Sequence, residues 1–141
     1  MKKSNTKTKE GKIIPFVNRC DVLIVEDEPS FVVLIGEMIR SRFPNLRIQS
    51  AKDGIEGLKK VKAFKPRTIW TCVKMPRMDG LEMIELIRQD PDLKNTKIIV
   101  CTGCHTMKDV KSRVIELRVD RFLPKPFNIE EALSAIAGCL P

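Results

Sequence analysis

The residues able to do chemistry gather at the ends of apolar runs. Glu26, Asp27 and Glu28 close CDVLIV, Cys72 ends RTIWTC, Thr102 closes KIIVCT and Lys125 follows VDRFLP. Adjacent carboxylates suit a hard divalent cation, and a lysine supplies a point charge for phosphate. Each has a plainer reading. Acids just beyond a buried strand favour the positive end of the next helix. Lys125 alone is a solvated loop residue, and Thr102 alone an ordinary strand end. The thiol of Cys72 is different chemistry again, because soft sulfur is a poor ligand for a hard ion.

Five cysteines in a chain without an export signal argue against a disulfide framework. Cys101-Thr-Gly-Cys104-His105 matches the C-x-x-C-H string of covalent haem attachment. Cys101 falls in the strand-like run KIIVC, however, and no distal ligand is evident, so two ordinary thiols is the plainer reading. Cys72, Cys104 and His105, with acids nearby, form an alternative site: a thiol-based redox sensor or a soft-metal centre for Zn²⁺. A thiol pKa lowered by Lys74 or Lys125 would make Cys72 reactive, although the spacing is not a standard metal pattern. The Lys74 ammonium either reaches Glu26 and Asp27 and neutralises them or points into solvent.

These residues need a scaffold, and the chain supplies an alternating one. CDVLIV (20–25), LRIQSA (46–51), TIWTCV (68–73), KIIVCT (97–102) and VDRFLP (119–124) read as strands. Between them, helical spacing covers 29–43, with Phe31, Leu34, Ile35, Met38 and Ile39 apolar, and 54–64, with Ile55, Leu58 and Val61 inward. Further helices cover 81–88 and 107–117, the latter with Met107, Val110, Val114 and Leu117 on one side. Asn128, paired with Glu131, caps a last helix through Leu140. Five strands alternating with five helices predict a parallel sheet covered on both faces. Ligands of such sheets gather at the carboxyl ends of the strands, where Glu26, Asp27, Cys72, Thr102 and Lys125 all fall.

Length and charge narrow the field. The chain has 141 residues, 43% hydrophobic and 31% charged, enough for one domain with a real core. No apolar stretch approaches the roughly 18 residues that suggest a membrane span, so no membrane association and a cytoplasmic location are expected. Residues 1–19 hold six basic residues against Glu10, which is +5 of the net +8, and the remainder carries only +3. That pattern predicts a disordered basic tail (1–19) before a folded domain (20–141). It makes nucleic-acid binding an unfavoured reading, because the body lacks an aromatic-studded basic stripe.

The segments VLIVEDEP, MPRMDGLEMI, CTG and FLPKPF, in this order over roughly residues 20–140, resemble the receiver domain of two-component response regulators. The resemblance implies a flavodoxin-like, doubly wound five-stranded sheet of order 2-1-3-4-5. It also implies phosphoryl transfer from a kinase histidine to an aspartate ending the third strand. Glu26 and Asp27 are then the acidic pair for Mg²⁺, with the Lys74 backbone carbonyl. Thr102 is the hydroxyl that follows the phosphoryl group, Lys125 the cation that pairs with it, and Phe122 the switch aromatic. The bond before Pro126 is often cis in the family.

Cys72 stands where the aspartate belongs, and Asp79, in the turn, is too far along to replace it. A thiol makes no acyl phosphate, and the lost carboxylate weakens any Mg²⁺ site. The expected function is therefore a single-domain, degenerate pseudo-receiver in phosphorelay signalling that is not itself an enzyme. It would act by contact with a sensor histidine kinase, a phosphotransfer protein or an effector. With the sequence read to Pro141, the expectation is that no output domain follows. Lys108, Lys111, Arg113, Arg118 and Arg121 lie where the resemblance implies a docking face, and their charge would favour an acidic partner; the plainer reading is that they are solvated.

Overall fold

The computed structural model describes residues 6–7, 13–14, 20–103 and 107–140. Within 1–19 it describes two short strands, Thr6–Lys7 and Ile13–Ile14, paired antiparallel. The main sheet has five parallel strands: β1 (Val22–Val25), β2 (Ile48–Ala51), β3 (Thr68–Thr71), β4 (Lys97–Thr102) and β5 (Arg121–Pro124). Their order is 2-1-3-4-5, as expected. The helices are α1 (Pro29–Arg42), α2 (Gly54–Phe64), α3 (Gly80–Gln89), α4 (Met107–Glu116) and α5 (Ile129–Gly138).

The alternation of a strand sorts the core into two layers. From β1, Leu23 and Val25 face one cluster with Val61 of α2, Met83 and Ile87 of α3, and Val110 and Val114 of α4. Val22 and Ile24 face the other, with Ile35 and Ile39 of α1, Trp70 of β3 and Ile136 of α5. Burying both faces is why VLIV reads as a continuous apolar run, not an alternating one. Trp70 meets Phe127 edge-on at 5.7 Å, a favoured aromatic geometry.

Several expectations need correction. Leu34 and Ile55 keep helical spacing but are 50% and 38% exposed. Both sit at the margin of their helix's buried stripe, where periodicity does not decide which side is covered. The third strand stops at Thr71, two residues short of the expected end, because the chain turns there. The Cys72 N–H still donates to the Val25 carbonyl at 3.2 Å, and the Gly80 N–H reaches back to the Val73 carbonyl at 2.8 Å. The last helix ends at Gly138, before Leu140. Its capping box at Asn128 and Glu131 is present.

Candidate functional site

The carboxyl ends of β1, β3, β4 and β5 open on one edge, and the chain leaving β1 brings the acids there. The Glu26 N–H continues the ladder to Ala51, so its side chain stays tied to the sheet and is buried. Glu28 is the N-cap residue of α1, but its side chain makes no cap hydrogen bond. Its N–H instead donates to Glu26 Oε2 at 3.3 Å. The acids are therefore not explained by helix capping.

Cys72 lies at the centre of the edge and is 7% exposed. Its Sγ is 3.3 Å from Glu26 Oε2, 4.0 Å from Asp27 Oδ1 and 3.6 Å from the Lys74 carbonyl. Lys125 supplies the cation: its Nζ is 3.5 Å from Glu26 Oε1 and 4.0 Å from the centre of the Phe31 ring. Lys125 follows β5 directly, and its N–H donates to the Thr102 carbonyl at 2.9 Å. The Lys125–Pro126 bond is cis. Thr102 is buried at the end of β4, and Phe122 is half-buried against the α2–α3–α4 layer. The fold thus gathers Glu26, Asp27, Cys72, Thr102, Lys125 and the Lys74 carbonyl on one edge, with Phe122 beside it on β5.

Electrostatics set the protonation of this group. Burial raises the Glu26 pKa, and the neighbouring Asp27 raises it further, while Cys72, the Lys125 charge and the Glu28 N–H oppose them. Burial also pushes the Cys72 thiol up, and the Glu26 charge adds to the shift. The lowered thiol pKa expected beside Lys74 or Lys125 is therefore corrected. Lys74 is exposed, and the ammonium that reaches Glu26 is Lys125. Carboxylates close to the sulfur oppose thiolate formation. Cys101, buried within β4, is likewise pushed up to about 12. Cys104 and His105 lie outside the described residues.

The donor set fits Mg²⁺ poorly. That ion asks for near-octahedral oxygen ligands, and here a sulfur stands among the carboxylates while an ammonium already holds one of them.

Sequence reasoning missed Asp53, which positions the loop carrying this edge. Asp53 caps α2, accepting from the Glu56 N–H at 2.8 Å, and takes two bonds from Arg77 at 2.9 and 2.6 Å. Arg77 has a left-handed φ of 67°, so two bonds to the single oxygen Asp53 Oδ2 hold a turn that its backbone alone does not favour. The Asp53-x-x-Glu56 spacing, a cap signature, was the available signal. Asp79 caps α3 through the Glu82 N–H and is thereby occupied. Gly80 is required by close approach: a Cβ there would run into the Cys72 carbonyl oxygen.

Comparison with known proteins agrees with this fold. The family model for the response regulator receiver domain matches residues 22–137. The chain is 31% identical to the hybrid signal transduction histidine kinase D of Dictyostelium discoideum over 87% of its own length, but covers 8% of that protein. It is 29% identical to the probable chemotaxis protein CheY of Rhizobium etli, covering 84% of this chain and 93% of the relative. It spans about half the length of other curated relatives that it matches. The crystal structure of the chemotaxis response regulator CheY4 of Vibrio cholerae superposes with a TM-score of 0.76 at 26% identity, covering 86% and 99% of the two chains.

Proposed function

The chain belongs to the response regulator receiver family, and from that premise we propose that it is a degenerate receiver, signalling by protein contact without forming an acyl phosphate. The observation that carries this reading is the placement of Cys72 Sγ, 3.3 Å from Glu26, at the end of the third strand. No carboxyl group stands there to accept a phosphoryl group. Glu26, Asp27 and the Lys74 carbonyl then form a weakened Mg²⁺ site, and Thr102, Lys125 and Phe122 keep the positions of a phosphate-responsive edge.

The Lys125–Glu26 pair, with Lys125 also over Phe31, supports a single resting arrangement independent of a kinase. The proposed unit is a receiver domain over 20–141 behind a basic segment, working in the cytoplasm and without enzymatic activity of its own. Its partners are a histidine kinase, a phosphotransfer protein or an effector. Lys108, Lys111, Arg118 and Arg121 are exposed and suit an acidic partner, whereas Arg113 is engaged with Glu85 and Glu116. Among the described residues no helix is long and apolar enough to cross a membrane.

The test is incubation with acetyl phosphate and Mg²⁺, read by intact mass, on the native chain and on Cys72→Asp. The expected result is a hydroxylamine-labile phosphoryl adduct on the variant alone. An adduct on the native chain overturns the proposal. The redox form of the alternative is disfavoured by the upward shift of the Cys72 thiol, since the thiolate is the reactive species.

A further inference from the structure

The misfit to Mg²⁺ points to a different ion. We propose that the edge is a binding site for a thiophilic divalent cation of the Zn²⁺ class. Its ligands are Cys72 Sγ, Glu26 Oε2, Asp27 Oδ1 and the Lys74 carbonyl oxygen. Three features of the site carry this.

The first is donor geometry. Tetrahedral zinc takes sulfur at about 2.3 Å and oxygen at about 2.0–2.2 Å, which puts each sulfur–oxygen edge of the tetrahedron at about 3.5–3.7 Å. The three edges from Cys72 Sγ here are 3.3, 3.6 and 4.0 Å, on both sides of that value. The Glu26, Asp27 and Cys72 donor atoms all lie within 4.8 Å of one another. An octahedral magnesium centre built only of oxygens has shorter edges, about 3.0 Å, and no room for sulfur.

The second is charge. A dication bound by one thiolate and two carboxylates carries a net −1, and the Lys125 ammonium, 3.5 Å from Glu26 Oε1, brings the group to zero. Neutrality matters because Glu26 and Cys72 are only 5% and 7% exposed, where an uncompensated charge is costly. On binding, the Cys72 S–H bond breaks, its proton leaves to solvent, and the sulfur electron pair goes to the metal.

The third is orientation. Lys125 holds Oε1 and leaves Oε2 toward the sulfur, and the Glu28 N–H steadies Oε2 at 3.3 Å. Outer partners of this kind fix a ligating carboxylate. The donors come from the ends of two neighbouring strands, so the sheet fixes their separation.

The site goes beyond the degenerate-receiver reading and is tested separately from it. Co²⁺ is the probe, added to the whole reduced chain and read by the near-ultraviolet thiolate-to-cobalt charge-transfer band. The native chain should show the band saturating at one equivalent, lose it on adding Zn²⁺, and keep it in a large excess of Mg²⁺. Cys72→Ser should lose the band, with affinity falling about 100-fold or more, beyond what loss of an outer partner costs. Cys104→Ser should keep both.

Glu26→Gln retains the thiol and serves as the second variant. It should keep the band with affinity weakened about 10-fold or more. Absence of the band in the native chain, its survival in Cys72→Ser, its loss in Cys104→Ser, or undiminished affinity in Glu26→Gln each overturns the proposal. Phosphoryl labelling of the native chain overturns only the degenerate-receiver reading.

Discussion

Glu26 and Asp53 follow neighbouring parallel strands, and both are almost fully buried, at 5% and 2% exposure. Their carboxyls are nevertheless pushed in opposite directions. The Glu56 N–H, followed by Arg77, holds Asp53 below its ordinary value despite burial. Glu26 is raised, because burial and Asp27 outweigh Cys72, Lys125 and the Glu28 N–H. A carboxylate whose donors outweigh its burial is a structural pin, whereas Glu26 has donors that do not outweigh its burial and its acidic neighbour. Perturbation of this second kind is what functional sites display.

Breaking the link between the two regions should have the largest effect. Gly80 lies where the loop pinned by Asp53 passes the Cys72 backbone, and Gly80→Ala forces its Cβ against the Cys72 carbonyl. A destabilisation of about 3 kcal/mol is expected in urea unfolding, at the upper end for overpacking, since backbone and not a flexible side chain must move. A near-neutral result would mean that the loop is free to shift.

Asp53→Ala comes next, at about 2 kcal/mol. It removes an N-cap and the carboxylate that accepts two Arg77 bonds together. The same unfolding measurement decides whether Asp53 is the pin described here.

The smallest effect sharpens the contrast through pH. Asp53, with its lowered pKa, contributes stability that is complete above its unfolded value and is lost as pH falls through the folded one. Glu26 has the opposite sign. Its raised pKa means that the folded state binds the proton more tightly, so its contribution is complete below the unfolded value and declines as pH rises through the folded one. Denaturant unfolding from pH 4 upward should show that decline in the native chain, and Glu26→Gln should flatten it. An unchanged slope in the variant would assign the pH dependence to another group.

Much of this was legible in the chain itself. CDVLIV and KIIVCT are apolar throughout because both faces of their strands are covered, and the acids, Thr102 and Lys125 mark the strand ends by interrupting those runs. Asn128 and Glu131 show their cap by spacing alone. Leu34 and Ile55 were not legible, because periodicity finds a helical stripe without finding its margin. Asp53 shows in the sequence only through its cap spacing to Glu56, because its pairing with Arg77 spans 24 residues of sequence.

The sequence by itself determined the order of elements and the kinds of donor available at the sheet edge, including a sulfur just past the third strand. Only the tertiary structure decided that Lys125 and not Lys74 faces Glu26, that Asp53 and Glu26 shift in opposite directions, and that burial pushes the Cys72 thiol up. The reason is physical. Hydrophobic pattern and capping act over a few neighbouring residues, whereas desolvation and Coulomb energy depend on distances through space, between groups far apart along the chain.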